Sequence, residues 1–154
     1  MRSNRIILII IIALMFSSLI GCNSENEQVN DNMKTPEETV SSWTDEIVEN
    51  FLISIDKKDY ESFSKDFSES MKSHLNEKMF KEQVLPISEL IGEYIKGSKK
   101  LLTTEEVDEN NIKLIYSSDY SNEKNEVIVT TVFDKDNQLI EGLFINSEKI
   151  QNMQ

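Results

Sequence analysis

The sequence predicts an α+β domain in which N-terminal helices pack on a curved antiparallel sheet. Between Trp43 and Ile91 the large apolar residues return every three or four positions, which is the period of a helix. Beyond Gly92 the period falls to two, which is the period of a strand. Short polar joints, Ser121–Asn125 and Asp134–Asn137, separate the later segments. Joints of that length close hairpins, so neighbouring strands run antiparallel.

The chain ahead of this domain has its own logic. Arg2 and Arg5 precede an apolar run from Ile6 to Ile20, and polar residues follow it. The run is short for a spanning helix, which needs about 20 apolar residues. A positive start, an apolar middle and a small-residue end form the layout of a secretory signal; a retained N-terminal anchor is the competing reading. The end of the run, Leu19-Ile20-Gly21-Cys22, resembles a bacterial lipobox. That resemblance implies cleavage between Gly21 and Cys22 and acylation of Cys22. The expected organisation is a signal over 1–21, a linker over 22–40, a folded domain over 41–148 and a tail over 149–154. The expected location is the outer face of the cytoplasmic membrane, with Cys22 holding the bilayer through its lipid. Enrichment in Ile, Lys, Asn and Glu resembles proteins of low-GC Gram-positive bacteria.

Charge narrows the partners. The formal net charge is −12, and loss of Arg2 and Arg5 takes the mature chain two units lower, to −14. Nucleic-acid binding needs a basic surface, which this composition does not supply. Anionic headgroups repel such a domain, so attachment falls to the acyl group. Cys22 is the sole cysteine, so no intrachain disulfide is available and packing alone must hold the fold.

Asn23–Thr39 is polar and acidic and cannot bury enough apolar surface to fold by itself. The first helix is expected from Ser41 or Ser42, with Ser42 as N-cap and Asp45 three residues on. Trp43, Ile47, Val48, Phe51, Leu52 and Ile55 form its inner stripe. Asp56-Lys57-Lys58 breaks the pattern, and a second helix starts near Asp59. There Tyr60, Phe63 and Phe67 recur at spacings of three and four and face one core. Met71 and Leu75 mark a further turn. Asn76 caps a third helix that buries Met79, Phe80, Val84 and Leu85. Pro86 kinks or restarts that helix and Gly92 ends it.

The strand-like segments follow. Residues 93–107 read as one irregular strand with a bulge or bend at Gly97. Ile112, Leu114 and Tyr116 share a face, as do Val127, Val129, Thr131 and Phe133. Strict alternation sets Leu139, Glu141, Leu143 and Ile145 against Ile140, Gly142 and Phe144. Two of these segments are apolar on both faces. Helices cover one face; the other needs a partner, a second cover or the concavity of a bent sheet. Gly142 within a strand fits a bend.

This order of elements resembles the cone-shaped nuclear-transport-factor-2-like (NTF2-like) superfamily, and within it the DUF3887 family of bacterial domains. The segments "VENFLISIDKKDYESFSKDFSESMKSHL", "FKEQVLPISELIGEYIKG" and "NEVIVTTVFDKDNQLIEGLFI" carry the likeness. It implies helices closing over a strongly curved sheet and brings no catalytic residue to transfer.

Constellations for chemistry are sparse. His74 is the only histidine and Cys22 the only cysteine, so a Cys/His zinc site is excluded and no metal or cofactor is assigned. Asp134, Asp136 and Asn137 alternate like calcium ligands, but the central glycine and closing glutamate of such a loop are missing, and a hairpin turn is the better reading. No Gly-x-Ser-x-Gly elbow or phosphate-binding glycine loop is present. Tyr60, Asp119 and Glu141 are the candidates for an interior acid–base group; Glu141 shares the phase of Leu139 and Leu143, and a wet sheet face or a bulge are the competing readings for it. Two readings stand. One is a membrane-anchored, non-enzymatic module that binds a small apolar ligand or pairs through its sheet with a second copy or another protein. The other is a small pocket enzyme of isomerase or dehydratase type using Tyr60, Asp119 or Glu141.

Overall fold

The computed structural model describes residues 36–153, with side chains from Ser42 onward. The expected signal, the Gly21–Cys22 cleavage and lipidation site, and the linker up to residue 35 lie outside the described residues. Among the described residues no helix is long and apolar enough to cross a membrane.

Helix α1 runs from Pro36 to Asp56, so it begins before Ser42, which sits inside the helix instead of capping it. Proline suits a first helical position because its fixed φ is already helical and its missing N–H has no helical partner to lose. The inner stripe is as the spacing predicts, with Val48, Phe51, Leu52 and Ile55 buried. Trp43 packs edge-on against Phe133 with ring centroids 5.1 Å apart.

The end of α1 takes a left-handed residue without glycine. Lys58 has φ 55°. Asp59 N donates to Ser54 O at 3.0 Å and Lys58 N to Ile55 O at 2.9 Å, which together close the helix terminus. Asp59 then caps α2 (Tyr60–Ser64), accepting from Ser62 N. Phe63 becomes the centre of an aromatic cluster, with centroids 4.9 Å from Phe67 and 4.7 Å from Phe80.

Ser68 caps α3 (Glu69–His74) and Asn76 caps α4 (Glu77–Met79). A π-helical turn, Phe80–Val84, leads into α5 (Leu85–Ile91). Pro86 lacks an N–H and its ring crowds the carbonyl four residues back. The chain answers with the wider spacing, Leu85 N donating to Phe80 O. Gly92 ends the helix at φ 86°.

Four strands follow: β1 (Lys100–Glu106), β2 (Asn111–Ser118), β3 (Val127–Asp134) and β4 (Leu139–Asn146). They form one antiparallel meander in the order β1-β2-β3-β4. The helices cover the face carrying Ile112, Leu114, Tyr116, Val127, Val129, Thr131 and Phe133, all buried. Ser147 caps a final helix, α6 (Glu148–Gln151), which packs beside α5 and adds Ile150 to the core. The expected tail therefore begins inside α6.

The α+β reading stands, but the cone does not. The sheet is open and uncurled: β1 and β4 are its two edges and do not meet. Closure needs pairing or close approach of the edge strands, and here β1 is exposed along nearly its whole length. Among the described residues the space between helices and sheet is occupied by the buried side chains of Phe51, Phe63, Phe67, Phe80, Tyr116 and Phe133. The nuclear-transport-factor-2-like and DUF3887-like resemblance is corrected accordingly.

Two irregularities break the alternation. The bulge in β1 falls at Leu102, between the pairs Leu101–Tyr116 and Thr103–Ile115, while Gly97 lies in the preceding turn. A second bulge falls at Glu141, between Val132–Gly142 and Phe133–Ile140. It returns Ile140 to the core face with Leu143 and Ile145, and breaks the expected phase of β4.

Candidate functional site

The three acid–base candidates do not converge. Tyr60 is half-buried and its hydroxyl donates to Leu75 O at 3.2 Å. Asp119 is exposed directly after the end of β2, where its backbone N donates to Ser98 Oγ and its carbonyl accepts from Ile95 N. Glu141 is exposed at the bulge of β4 and accepts from Ser68 Oγ at 3.0 Å. None of the three is hydrogen-bonded to another. A void of about 10 Å³, room for roughly one water, is lined by apolar side chains of α1, the π-helical turn, α5 and β4 together with Ser88 and Tyr120, and by none of the candidates.

Asp134 belongs to turn chemistry. Its carboxylate accepts from the backbone N of Asp136 at 2.8 Å and of Asn137 at 3.1 Å. These bonds and the Asn137 side chain hold its pKa below the usual carboxylate value. His74 is exposed, with Nδ1 2.8 Å from Ser70 O.

A polar cluster that sequence reasoning missed lies between α1 and the chain leading into β1. Asp45, Glu49 and Asp56 lie along one row of α1, since offsets of four and seven residues return to nearly the same azimuth. Lys99 Nζ pairs with Asp45, and only 4% of the lysine side chain is exposed. The same nitrogen lies 5.0 Å from the Tyr116 ring centroid. Glu49 accepts from Tyr94 Oη at 2.8 Å and from Gly97 N at 3.2 Å. Asp56 accepts from Tyr94 N at 3.1 Å. The acidic row of α1 thus clamps residues 94–99, and the loop after β2 also holds this stretch, Ser121 bonding Glu93 and Asp119 O accepting from Ile95 N.

Burial sets the titration of this cluster. It pushes the Tyr94 hydroxyl up to about 12, helped by the bond to Glu49 and the Glu49 charge. It pushes Tyr116 up to about 12 as well, against a small opposing effect from the Thr44 hydrogen bond. Tyr120 is also raised, first by burial and then by the charge of Asp56. These phenols are therefore protonated at neutral pH. Asp56 is raised by burial and by the Glu93 charge, against the Tyr94 backbone bond, and its Oδ1 has no hydrogen-bond partner. The cluster is a structural clamp: its acids are spent on holding backbone and lysine.

The outer face of the sheet is the other prominent feature. Cross-strand pairing sets Thr103, Ile115, Thr130 and Phe144 in one row across all four strands. Phe144 ends the row 62% exposed, and half-buried Ile128 and Val132 flank it. Gly142 pairs with Val132, so the valine has no side chain opposite it on β4. Lys113 and Glu105 pair at 2.5 Å beside the row. The signal for this face was the two-sided apolar character of β3; what the bulge at Glu141 hid was that Phe144 belongs to it.

No family model matches the chain, and no curated protein matches it. A solved NMR structure, of a protein from Ruminococcus gnavus ATCC 29149, is similar with a TM-score of 0.47 and 21% identity, over 71% of this chain and 90% of that one.

Proposed function

We propose that this chain is a lipid-anchored extracytoplasmic domain that acts by docking a protein on the outer face of its sheet. The carrying observation is Phe144, an aromatic ring left largely in water, flanked by Ile128 and Val132 and in one row with Ile115 on the outer face. Soluble domains rarely leave a contiguous apolar patch bare without use, and an aromatic centre with a charged rim is the usual anatomy of a contact site. The anchor rests on the series from Arg2 through Cys22. One acyl chain binds a membrane reversibly and two hold it, which suits a diacylated cysteine.

The test uses the full chain in intact cells. A photo-reactive phenylalanine at position 144 gives a discrete protein adduct, and the same group at Lys124, on the hairpin loop, does not. Phe144→Glu abolishes the activity that deletion of the protein removes, while changing stability by less than about 0.5 kcal/mol, as expected of an exposed site. Identical adduct patterns from both positions, or a Phe144→Glu chain that complements fully, overturns the reading. Cys22→Ser in the same cells releases the protein from the membrane; a variant that stays membrane-bound overturns the anchor.

A further inference from the structure

We propose that β1 is a self-pairing edge through which two copies of this chain join their sheets antiparallel about a twofold axis at Thr103. This surface is separate from the outer-face contact above, and the inference does not depend on it.

The two edges of the sheet are treated differently. β4 is partly capped: Ile140 N donates to Asp66 O at 2.8 Å and Ser68 N donates to Ile140 O at 3.0 Å, so the segment after α2 runs beside its start. Among the described residues β1 has no such neighbour on its outer side. A bare edge offers a row of backbone donors and acceptors to any strand that fits. Apolar exposure concentrates there too. Of the six exposed large apolar side chains among the described residues, four (Ile95, Leu101, Leu102 and Val107) lie in β1 or within a few residues of its ends.

The charges say what fits. β1 begins with Lys100 and ends with Glu105 and Glu106. A parallel copy in register sets glutamates against glutamates, whereas an antiparallel copy sets lysine against glutamate. The bulge selects the alignment, because directly paired residues must share a sheet face. Lys100, Thr103 and Glu105 pair with Ser117, Ile115 and Lys113, so all three lie on the outer face. With Thr103 on the axis, Thr104 opposes the Leu101–Leu102 bulge of the second copy, and Glu105, which also pairs with Lys113 of its own chain at 2.5 Å, opposes its Lys100 on the same face. The contact is made twice. Lys99 takes no part, being buried against Asp45. The dimer also joins the two outer-face rows end to end, Phe144 to Thr103 and on to Phe144 of the second copy. One seven-residue strand buries less than a standard interface, so the pairing is weak and depends on local concentration.

The experiment uses the full chain in membranes, with mild oxidation read on non-reducing gels. Thr103→Cys gives a disulfide-linked dimer well above the background of the parent, whose sole cysteine, Cys22, is taken up by the lipid. Val132→Cys, on the same face but on β3, stays at background. Adding Lys100→Glu to Thr103→Cys lowers the yield by about fivefold, the scale of one exposed charge pair turned repulsive at each of two sites. Adding Glu105→Lys to that chain restores it. A Thr103→Cys yield no higher than that of Val132→Cys overturns the proposal, as does indifference to Lys100→Glu. Phe144→Glu leaves the crosslink unchanged and so separates this pairing from the outer-face contact. A crosslink lost with Phe144→Glu but kept with Lys100→Glu assigns the association to the face and overturns the edge.

Discussion

Lys99 and Asp45 form an ion pair that joins the entry of β1 to the first helix across 54 residues of sequence. The lysine side chain is 4% exposed and the aspartate 55%. That asymmetry decides what each partner contributes. The lysine stem packs in the interior and its ammonium lies near the Tyr116 ring, while the aspartate keeps its water. Lys99→Ala therefore lowers stability by about 2–3 kcal/mol, from lost stem burial and a cation–π contact of about 1 kcal/mol. Lys99→Met keeps the stem and costs about 1 kcal/mol, because Asp45 is wet enough to stand alone. Urea unfolding of the chain from Lys34 onward measures both. Equal losses in the two variants show that the charge, and not the stem, holds the clamp.

Gly92 is where α5 meets the loop after β2. Its φ is 86°, and a Cβ there would lie 2.3 Å from Ser121 Oγ and 2.7 Å from Asn122 N. The serine can rotate; the backbone nitrogen cannot, because it donates to Ile91 O at 3.0 Å. Gly92→Ala is expected to cost about 3 kcal/mol, from strain at positive φ together with the displaced contact. Gly97 is the internal control. It also has positive φ, but nothing lies within 4 Å of an added Cβ, so Gly97→Ala carries the conformational part alone, about 1 kcal/mol. Matching losses at both positions contradict the close approach at Gly92.

Much of the core was legible because periodicity reports which side of an element is dry. Val48, Phe51, Leu52, Phe63, Phe67 and the Val127–Phe133 face are buried where spacing put them. The cap at Asn76 was legible because a short acceptor side chain before an apolar stripe acts locally; the same rule failed at Ser42, which lies inside α1. Features set by an added residue or a distant partner were not. Glu141 is the extra residue of a bulge, one of the readings its position left open, and alternation counted across that bulge put Ile140 on the wrong face. Lys99 reads as a surface lysine until α1 is laid against it; the one available sign was the spacing of Asp45, Glu49 and Asp56. Sheet closure was illegible for a deeper reason. A cone and an open meander share the same strand periods and differ in twist and edge contacts, which no local pattern encodes.

Lys58 holds a left-handed conformation, φ 55°, at the end of α1. A side chain there costs about 1 kcal/mol relative to glycine. Against this stands its ion pair with Glu89 at 3.0 Å, in which both side chains are well exposed, and such pairs contribute only a few tenths of a kcal/mol. Lys58→Gly is thus expected to raise stability by about 0.5–1 kcal/mol. Salt separates the two contributions: the gain grows slightly at high ionic strength, where the parent loses its ion pair. A variant less stable than the parent at low and high salt alike shows that the lysine stem, and not its charge, matters at this turn.

Asp56 is the group through which acidity reaches the clamp. Burial and the nearby Glu93 charge raise its pKa above the ordinary 3.8, while Tyr94 N–H opposes them. A carboxyl with a raised folded pKa keeps its proton in the native state where the unfolded chain has released it. The native state then binds more protons, so stability falls as pH rises from the ordinary carboxylate value through the folded pKa, and the loss is complete above it. Tyr94 and Tyr120, which also face this carboxyl, are raised far above that window and stay neutral across it. Asp56→Asn preserves an acceptor for Tyr94 N–H and removes the titration. The variant is expected to match the parent near pH 4 and to exceed its stability at pH 7. Paired urea titrations across that range give the difference directly, free of the background from the other carboxylates. A gap that does not change with pH, or a variant weaker than the parent at pH 7, means that the carboxylate is stabilised by its site and that the unpartnered Oδ1 is satisfied by water.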